Sequence, residues 1–476
     1  MTQQSGPSRL AAPDRAREAL PWRSAVLAIV IAVAGFAGLA STAKHELPVT
    51  DETEYLRAAH NLRGRLAFSG QPPDAAPIPM TEREPAYPAV LAAVSVLDPA
   101  WASLPWHCAD APTQDCRPAF RVPRALNSAF IALAALLCFR IAWLASGRQA
   151  AAFVALLVVV ANVEAARWRG QILSDYFALF LAALLSWALV EAAVARPRAR
   201  IALLAAAGTA LCVLILTKAI FLYALPVAAL ACAFWIWRAK ARLGAVAGAA
   251  LLLACAATPV GAWMARNHAA YGAPVVTSMR GSVVLSIRAL YNTMTWEEYR
   301  CAALWFIRGA GDNWARLLFP PAVTDRFGDK SPQAFYVLGH DVHYGKMKVL
   351  TNGGLSAPEA EARIMRDTLA EILADLPKHA AVSVLFFYRG LFIDEFIVLT
   401  FPALLVVLWR SRRRDQATTW LALAVGIYAA LIHGAVAIGI SRFLLPALPA
   451  LAVAAGLAWP GWAAAAWSSI RRRTHR

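Results

Sequence analysis

The chain has 476 residues, of which 59% are hydrophobic and only 16% charged, and its 46 Lys and Arg outnumber 29 Asp and Glu to give a formal net charge of +17. That composition excludes an ordinary soluble domain and places the chain among multi-spanning membrane proteins. The basic excess does not mark a nucleic-acid binder, because it is split into short clusters between apolar runs instead of being gathered on one surface.

In chain order, a largely polar tail (1–23) leads into a first apolar run (24–41). Arg15, Arg17 and Arg23 precede that run, as in a secretory signal, but "STAKHE" is a weak cleavage site and the charged region is not at the very start, so a retained helix is expected. A first long loop (42–125) follows, then a six-helix block (126–264), a second long segment (265–391) and a three-helix block with a basic C-terminus (392–476). About ten spans are expected by length and hydropathy: Ser24–Ser41, Leu126–Leu144, Ala150–Ala166, Ile172–Val194, Ile201–Leu216, Ile220–Trp237, Ala245–Met264, Phe392–Trp409, Leu421–Val436 and Phe443–Trp467. Each must be helical, since lipid offers no partner to an open backbone. The expected fold class is therefore an all-α polytopic membrane protein.

The basic clusters "RPRAR", "WRAKAR", "WRSRRR" and "RRRTHR" fall at every second turn, on the side of the N-terminal tail. Short basic loops stay cytoplasmic, which puts both termini inside and both long segments outside, in a bacterium the periplasm. The second segment mixes aromatic and charged residues at helical spacing in "TWEEYRCAALWFIRGAGDNWARLL", a pattern suited to amphipathic helices on a membrane surface. In the first, "WHCADAPTQDC" holds Cys108 and Cys116. An oxidising compartment favours a disulfide, with two free thiols the alternative, and zinc is disfavoured because His107 is the only further nitrogen ligand nearby.

Directly after the first span, "VTDETEYLRAAHNLRG" places Asp51, Glu52 and Glu54 within four residues. The plainest account is a charged helix start, capped by Thr50 or Asp51, with acids complementing the helix dipole. A set of further outward motifs argues for more: "REPAYP" with Arg83 and Tyr87, "QILSDYFALFL" with Asp175, "LTKAIFLYALP" with Lys218, "WMARNHAAYGAPVVTS" with Arg266 and "SRFLLPALPAL" with Arg442.

In order, spacing and placement, these motifs resemble the polytopic glycosyltransferases of the GT-C fold, in the branch of the dolichyl-phosphate-mannose protein mannosyltransferases and the lipid A aminoarabinose transferases. The resemblance covers most of the chain and is weakest over Gly281–His379. It implies transfer of a sugar from a polyprenyl-phosphate donor to an acceptor hydroxyl at the outer face of a cell inner membrane, with inversion. It makes Asp51 the general base and Glu52 its assistant. Tyr55, Arg83, Tyr87 and Asp175 would contact substrate, and Lys218, Arg266 and Arg442 would converge on the donor phosphate. A magnesium or manganese ion is left open, since carboxylates beside phosphate suit one but no closed ligand set is present. The expected partners are the lipid-linked donor, membrane lipids and an unidentified acceptor. Each basic residue could instead snorkel toward headgroups. The competing class is a transporter or flippase, disfavoured because the charges gather at outer span ends and no internal repeat is seen.

Overall fold

The computed structural model describes residues 20–42, 46–238, 242–328, 331–393, 395–412 and 416–474. The tail up to residue 19 and parts of the clusters "WRAKAR", "WRSRRR" and "RRRTHR" lie outside the described residues. Within them the regular structure is helical, apart from one isolated bridge between Ser69 and Pro79. Nine described segments are long and apolar enough to cross a membrane. With the composition, they make the chain a multi-pass membrane protein.

The main helices are α1 (Trp22–Ser41), α2 (Asp51–Arg65), α3 (Arg121–Ser146), α4 (Gln149–Val160), α5 (Asp175–Val194), α6 (Pro197–Ile215), α7 (Ala224–Arg238), α8 (Arg242–Tyr271), α9 (Arg280–Tyr291), α10 (Phe335–Asn352), α11 (Ala357–Ala374), α12 (Leu376–Leu391), α13 (Ile397–Arg412), α14 (Ala417–Val436) and α15 (Leu448–Thr474). One expected span differs. Instead of one helix over Phe392–Trp409, the chain breaks between α12, which ends at Leu391, and α13, which starts at Ile397. The break is pinned from both sides, because Asn162 Nδ2 donates to Ile393 O (2.8 Å) and Glu395 accepts from the Val163 amide (3.1 Å).

Helix α5 is apolar on every face and sits at the centre, packed against α3, α6 and α14. A helix buried all round needs no amphipathic stripe. Close approach between neighbours depends on small residues. At Gly208 of α6 an added Cβ would come within 2.3 Å of Leu252 O on α8, and at Gly456 of α15 within 2.3 Å of Ala151 O on α4. Two helices start with a tighter 3-10 turn, Ala219–Tyr223 before α7 and Ser441–Ala447 before α15.

The first outer segment folds onto the bundle. Arg63 and Arg65, in the last turn of α2, donate to the carbonyls of Trp101 (2.6 Å) and of Gln71 and Ala75 (2.9 and 2.8 Å), drawing the loop around the helix end. Leu91, Trp101, Leu104 and Phe120 join the same buried core as the spans. Cys108 and Cys116 form a disulfide with a Cα–Cα distance of 5.5 Å. The second segment instead builds a core of its own from residues that include Ile287, Tyr291, Cys301, Phe306, Phe335 and Phe386. Its short helix Gly311–Leu318 leaves Trp314, Leu317 and Leu318 exposed, the amphipathic character anticipated there.

Candidate active site

Helix α2 opens abruptly, because Thr50 takes a positive φ of 44° and turns the chain into the helix at Asp51. Successive helical residues point about 100° apart, so neighbouring acids meet different surroundings. Asp51 Oδ1 receives Arg83 Nη2 at 2.7 Å with Arg280 Nη2 at 3.5 Å, while Oδ2 receives Arg442 Nη2 at 3.1 Å. Glu54 pairs with Arg83 Nε, and Arg280 lies 3.7 Å from it. Three guanidinium groups thus surround two carboxylates, leaving one positive charge in excess. Burial works to raise the pKa of Asp51, but the guanidinium of Arg83, with Arg442 and Lys218 behind it, outweighs burial and holds the carboxyl below its ordinary value.

Arg83 is only 2% exposed and lies over the ring of Tyr55, whereas Arg280 is 41% exposed, so the cluster has a fixed cation and a freer one. Just behind, Lys218 Nζ pairs with Asp175 Oδ1 at 2.8 Å, and Tyr55 Oη meets Ser174 Oγ at 3.0 Å. Tyr55 and Tyr87 are packed edge to face. The ring of Phe443 lies under both Lys218 (5.2 Å) and Arg442 (4.9 Å). Glu84 ties the loop to this layer by accepting from the Ala219 amide at 3.1 Å. Further along the same run from Arg442, Ala447, Ala450 and Leu451 line one wall of a groove whose other walls include Leu404 and Leu408 of α13 and Ile427 and Ala430 of α14. The groove holds about 150 Å³ and is lined entirely by apolar residues.

Two crystal structures of ArnT from Cupriavidus metallidurans are similar to the chain. The apo form has a TM-score of 0.38 at 15% identity, covering 91% of this chain and 76% of that one. The form bound to undecaprenyl phosphate has a TM-score of 0.36 at 16% identity, covering 92% and 78%. No protein-family model matches the chain, nor does any curated protein. At that level of likeness no residue role passes from ArnT to this chain, and the site stands on its own geometry.

That geometry separates the expected residues. Asp51, Tyr55, Arg83, Tyr87, Asp175, Lys218 and Arg442 gather at the N-terminal end of α5. Glu52 and Arg266 do not take the positions expected of them. The Glu52 side chain turns inward, where Oε2 accepts from the Ile172 amide at 2.6 Å, and at 3% exposure it clips α2 to the turn before α5 instead of facing a substrate. Burial raises its pKa. Arg266 is spent on the backbone, donating to Met80 O (2.7 Å) and Phe68 O (3.2 Å) while stacking on Trp263, so it fastens the first outer loop to the end of α8. Two participants were not singled out from sequence: Glu54, one of the opening acids, and Arg280, which lies in a stretch without a legible motif next to Met279 at φ 62°.

A divalent ion does not fit the cluster as it stands. Asp51, Glu54 and Asp175 each face a cation, so no two carboxylates converge on a common open point. The one His/Cys/Asp/Glu group with metal-like spacing among the described residues is His107, Cys108, Asp115 and Cys116, and its sulfurs are bonded to each other.

Proposed function

We propose that the protein transfers a sugar from a polyprenyl-phosphate donor to an acceptor hydroxyl at the periplasmic face of a cell inner membrane. The observation that carries this reading is that one stretch of chain supplies both a cation of the cluster and a wall of an apolar groove. Arg442 and the residues lining the groove belong to one continuous run, Ser441–Ala447 followed by α15. A lipid phosphate needs both environments side by side, a cation for its headgroup and hydrocarbon for its tail.

In the proposed step the acceptor oxygen attacks the anomeric carbon of the sugar while the bond from that carbon to the phosphate oxygen breaks. The acceptor proton passes to Asp51, and the leaving polyprenyl phosphate keeps the bonding electrons. A single displacement of this kind inverts the anomeric centre. Arg83 and Arg442 hold one Asp51 oxygen each, and a carboxylate so engaged is a weak base. Donor phosphate draws away the freer cations Arg442 and Arg280, stabilising the leaving group and releasing an Asp51 oxygen for the acceptor. Arg83, the most deeply buried of the three, stays and orients the carboxylate.

Purified protein in detergent, given a panel of polyprenyl-phosphate sugars, is expected to release free polyprenyl phosphate from at least one. Asp51→Asn should lower turnover by about 100-fold or more while donor binding is kept or tightened, because a competitor of the phosphate for Arg442 has been neutralised. Arg442→Ala should weaken donor binding as well as rate. Undiminished transfer by correctly inserted Asp51→Asn protein would remove Asp51 from the step, and Asp175 would be tested next as base.

A further inference from the structure

Glu164 is a buried acid that the proposed step does not use. It lies in the short helix Val163–Arg167, 1% exposed, where an unpaired charge would be costly. Its oxygens engage three parts of the chain at once. Oε1 accepts from Ser441 Oγ at 2.6 Å and from Trp168 Nε1 at 3.0 Å, and Oε2 pairs with Arg308 of the second outer segment. Arg308 reaches on to Glu395 (3.3 Å) and to Phe392 O (3.2 Å) in the break between α12 and α13. Ser441 is the first residue of the 3-10 turn that carries Arg442. The hydrogen bond therefore fixes the start of that turn one residue before the cation that faces Asp51.

We propose that Glu164 is a positioning residue that sets Arg442 for the donor phosphate through Ser441, and that Arg308 makes this setting depend on the docked second outer segment. The inference rests on the donor reading above. It follows from rigidity: a long flexible side chain binds phosphate well when its backbone is already placed, so that less ordering is left for the binding event. On its N-terminal side Arg442 is placed by the Ser441 hydroxyl, in addition to the Arg389 hydrogen bond to Ile438 O. The Ser441 anchor is a short hydrogen bond to a charged acceptor, the stronger class of such bonds.

The test measures binding of a synthetic polyprenyl phosphate to the full chain in detergent micelles, with thermal stability recorded alongside. Ser441→Ala removes the link and leaves Glu164 with Arg308 and Trp168, so the variant is expected to fold. It should bind about tenfold more weakly, and Ser441→Thr, which restores the hydroxyl, should recover binding. In an Arg442→Ala background, Ser441→Ala should cause no further loss, since both changes then act on one interaction. Glu164→Gln keeps an acceptor for Ser441 but drops the charge that holds Arg308, and is expected to lie between. Equal binding by Ser441→Ala and unaltered protein would overturn the positioning role and leave the donor reading standing. A tenfold loss that persists in the Arg442→Ala background would overturn it too, by showing a general effect on the fold. If unaltered protein does not bind the lipid phosphate at all, the donor reading and this inference fall together.

Discussion

The two long segments between the spans reach the same site by opposite constructions. The first hands Leu91, Trp101, Leu104 and Phe120 to the core of the bundle and so behaves as an extension of it. The second packs Phe306, Phe335 and Phe386 into a separate core and touches the cluster through Arg280. The contrast follows from length and content. A loop folded directly on the bundle can borrow buried area, whereas a longer segment rich in aromatic residues has enough of its own. What it teaches concerns the cluster: its fixed members, Asp51 and Arg83, ride on the borrowed core, and its freer cation rides on the independent one.

The largest effects should come from breaking each core in turn. Trp101→Ala and Phe335→Ala each remove a buried aromatic side chain, at about 3–5 kcal/mol. Trp101→Ala should lower a single unfolding transition, because its core is continuous with the spans. Phe335→Ala should instead split off an early transition, with proteolysis of the second segment while the bundle stays intact. One shared transition in both variants would erase the distinction between the segments.

A smaller effect sharpens the account of the first segment. Replacing both Cys108 and Cys116 by Ser opens a closed loop with a sequence separation of 8, worth about 2–3 kcal/mol by loop entropy. Thermal melts with and without reductant should differ by that amount in unaltered protein and not at all in the double variant.

The smallest effect concerns Glu52. Its pKa is raised in the folded state, so its contribution is fully present below the unfolded value and is lost as pH rises through the folded one. Glu52→Gln keeps an acceptor for the Ile172 amide, and should match or exceed the unaltered protein at pH 7 by about 1 kcal/mol or less, the gap closing toward pH 4. Asp51 has the opposite sign: its lowered pKa supports the fold above the unfolded value and ceases to do so as pH falls through the folded one. Melts from about pH 2 to about pH 8 distinguish the two adjacent acids.

Much of the fold was legible because lipid leaves apolar runs a single way to satisfy their backbone. The break at residues 392–396 was not, since it is imposed by Asn162 and Arg308, which are distant in sequence. Within the site, chemical type and placement next to the spans singled out Asp51, Arg83, Lys218, Asp175 and Arg442, which the structure brings together, and ranked Asp51 above Glu52 without showing that Glu52 turns inward. That distinction depends on the helical rotation between them and on which neighbour waits at each angle. Arg266 looked like a phosphate ligand because a basic residue at a span end carries no sign of being used up by carbonyls. Arg280 and Glu164 were missed for the converse reason, as their partners come from other segments.

The break before α13 has a consequence for the groove itself. Phe387 and Leu391 of α12 line it from one side of the break, and Leu404, Leu405 and Leu408 of α13 line it from the other. The two walls are therefore not parts of one rigid rod but separate helices, held in register by the bonds that Asn162 and Arg308 make to the backbone between them. A change that loosens either bond would let one wall of the groove shift against the other, altering its width without touching a single lining residue.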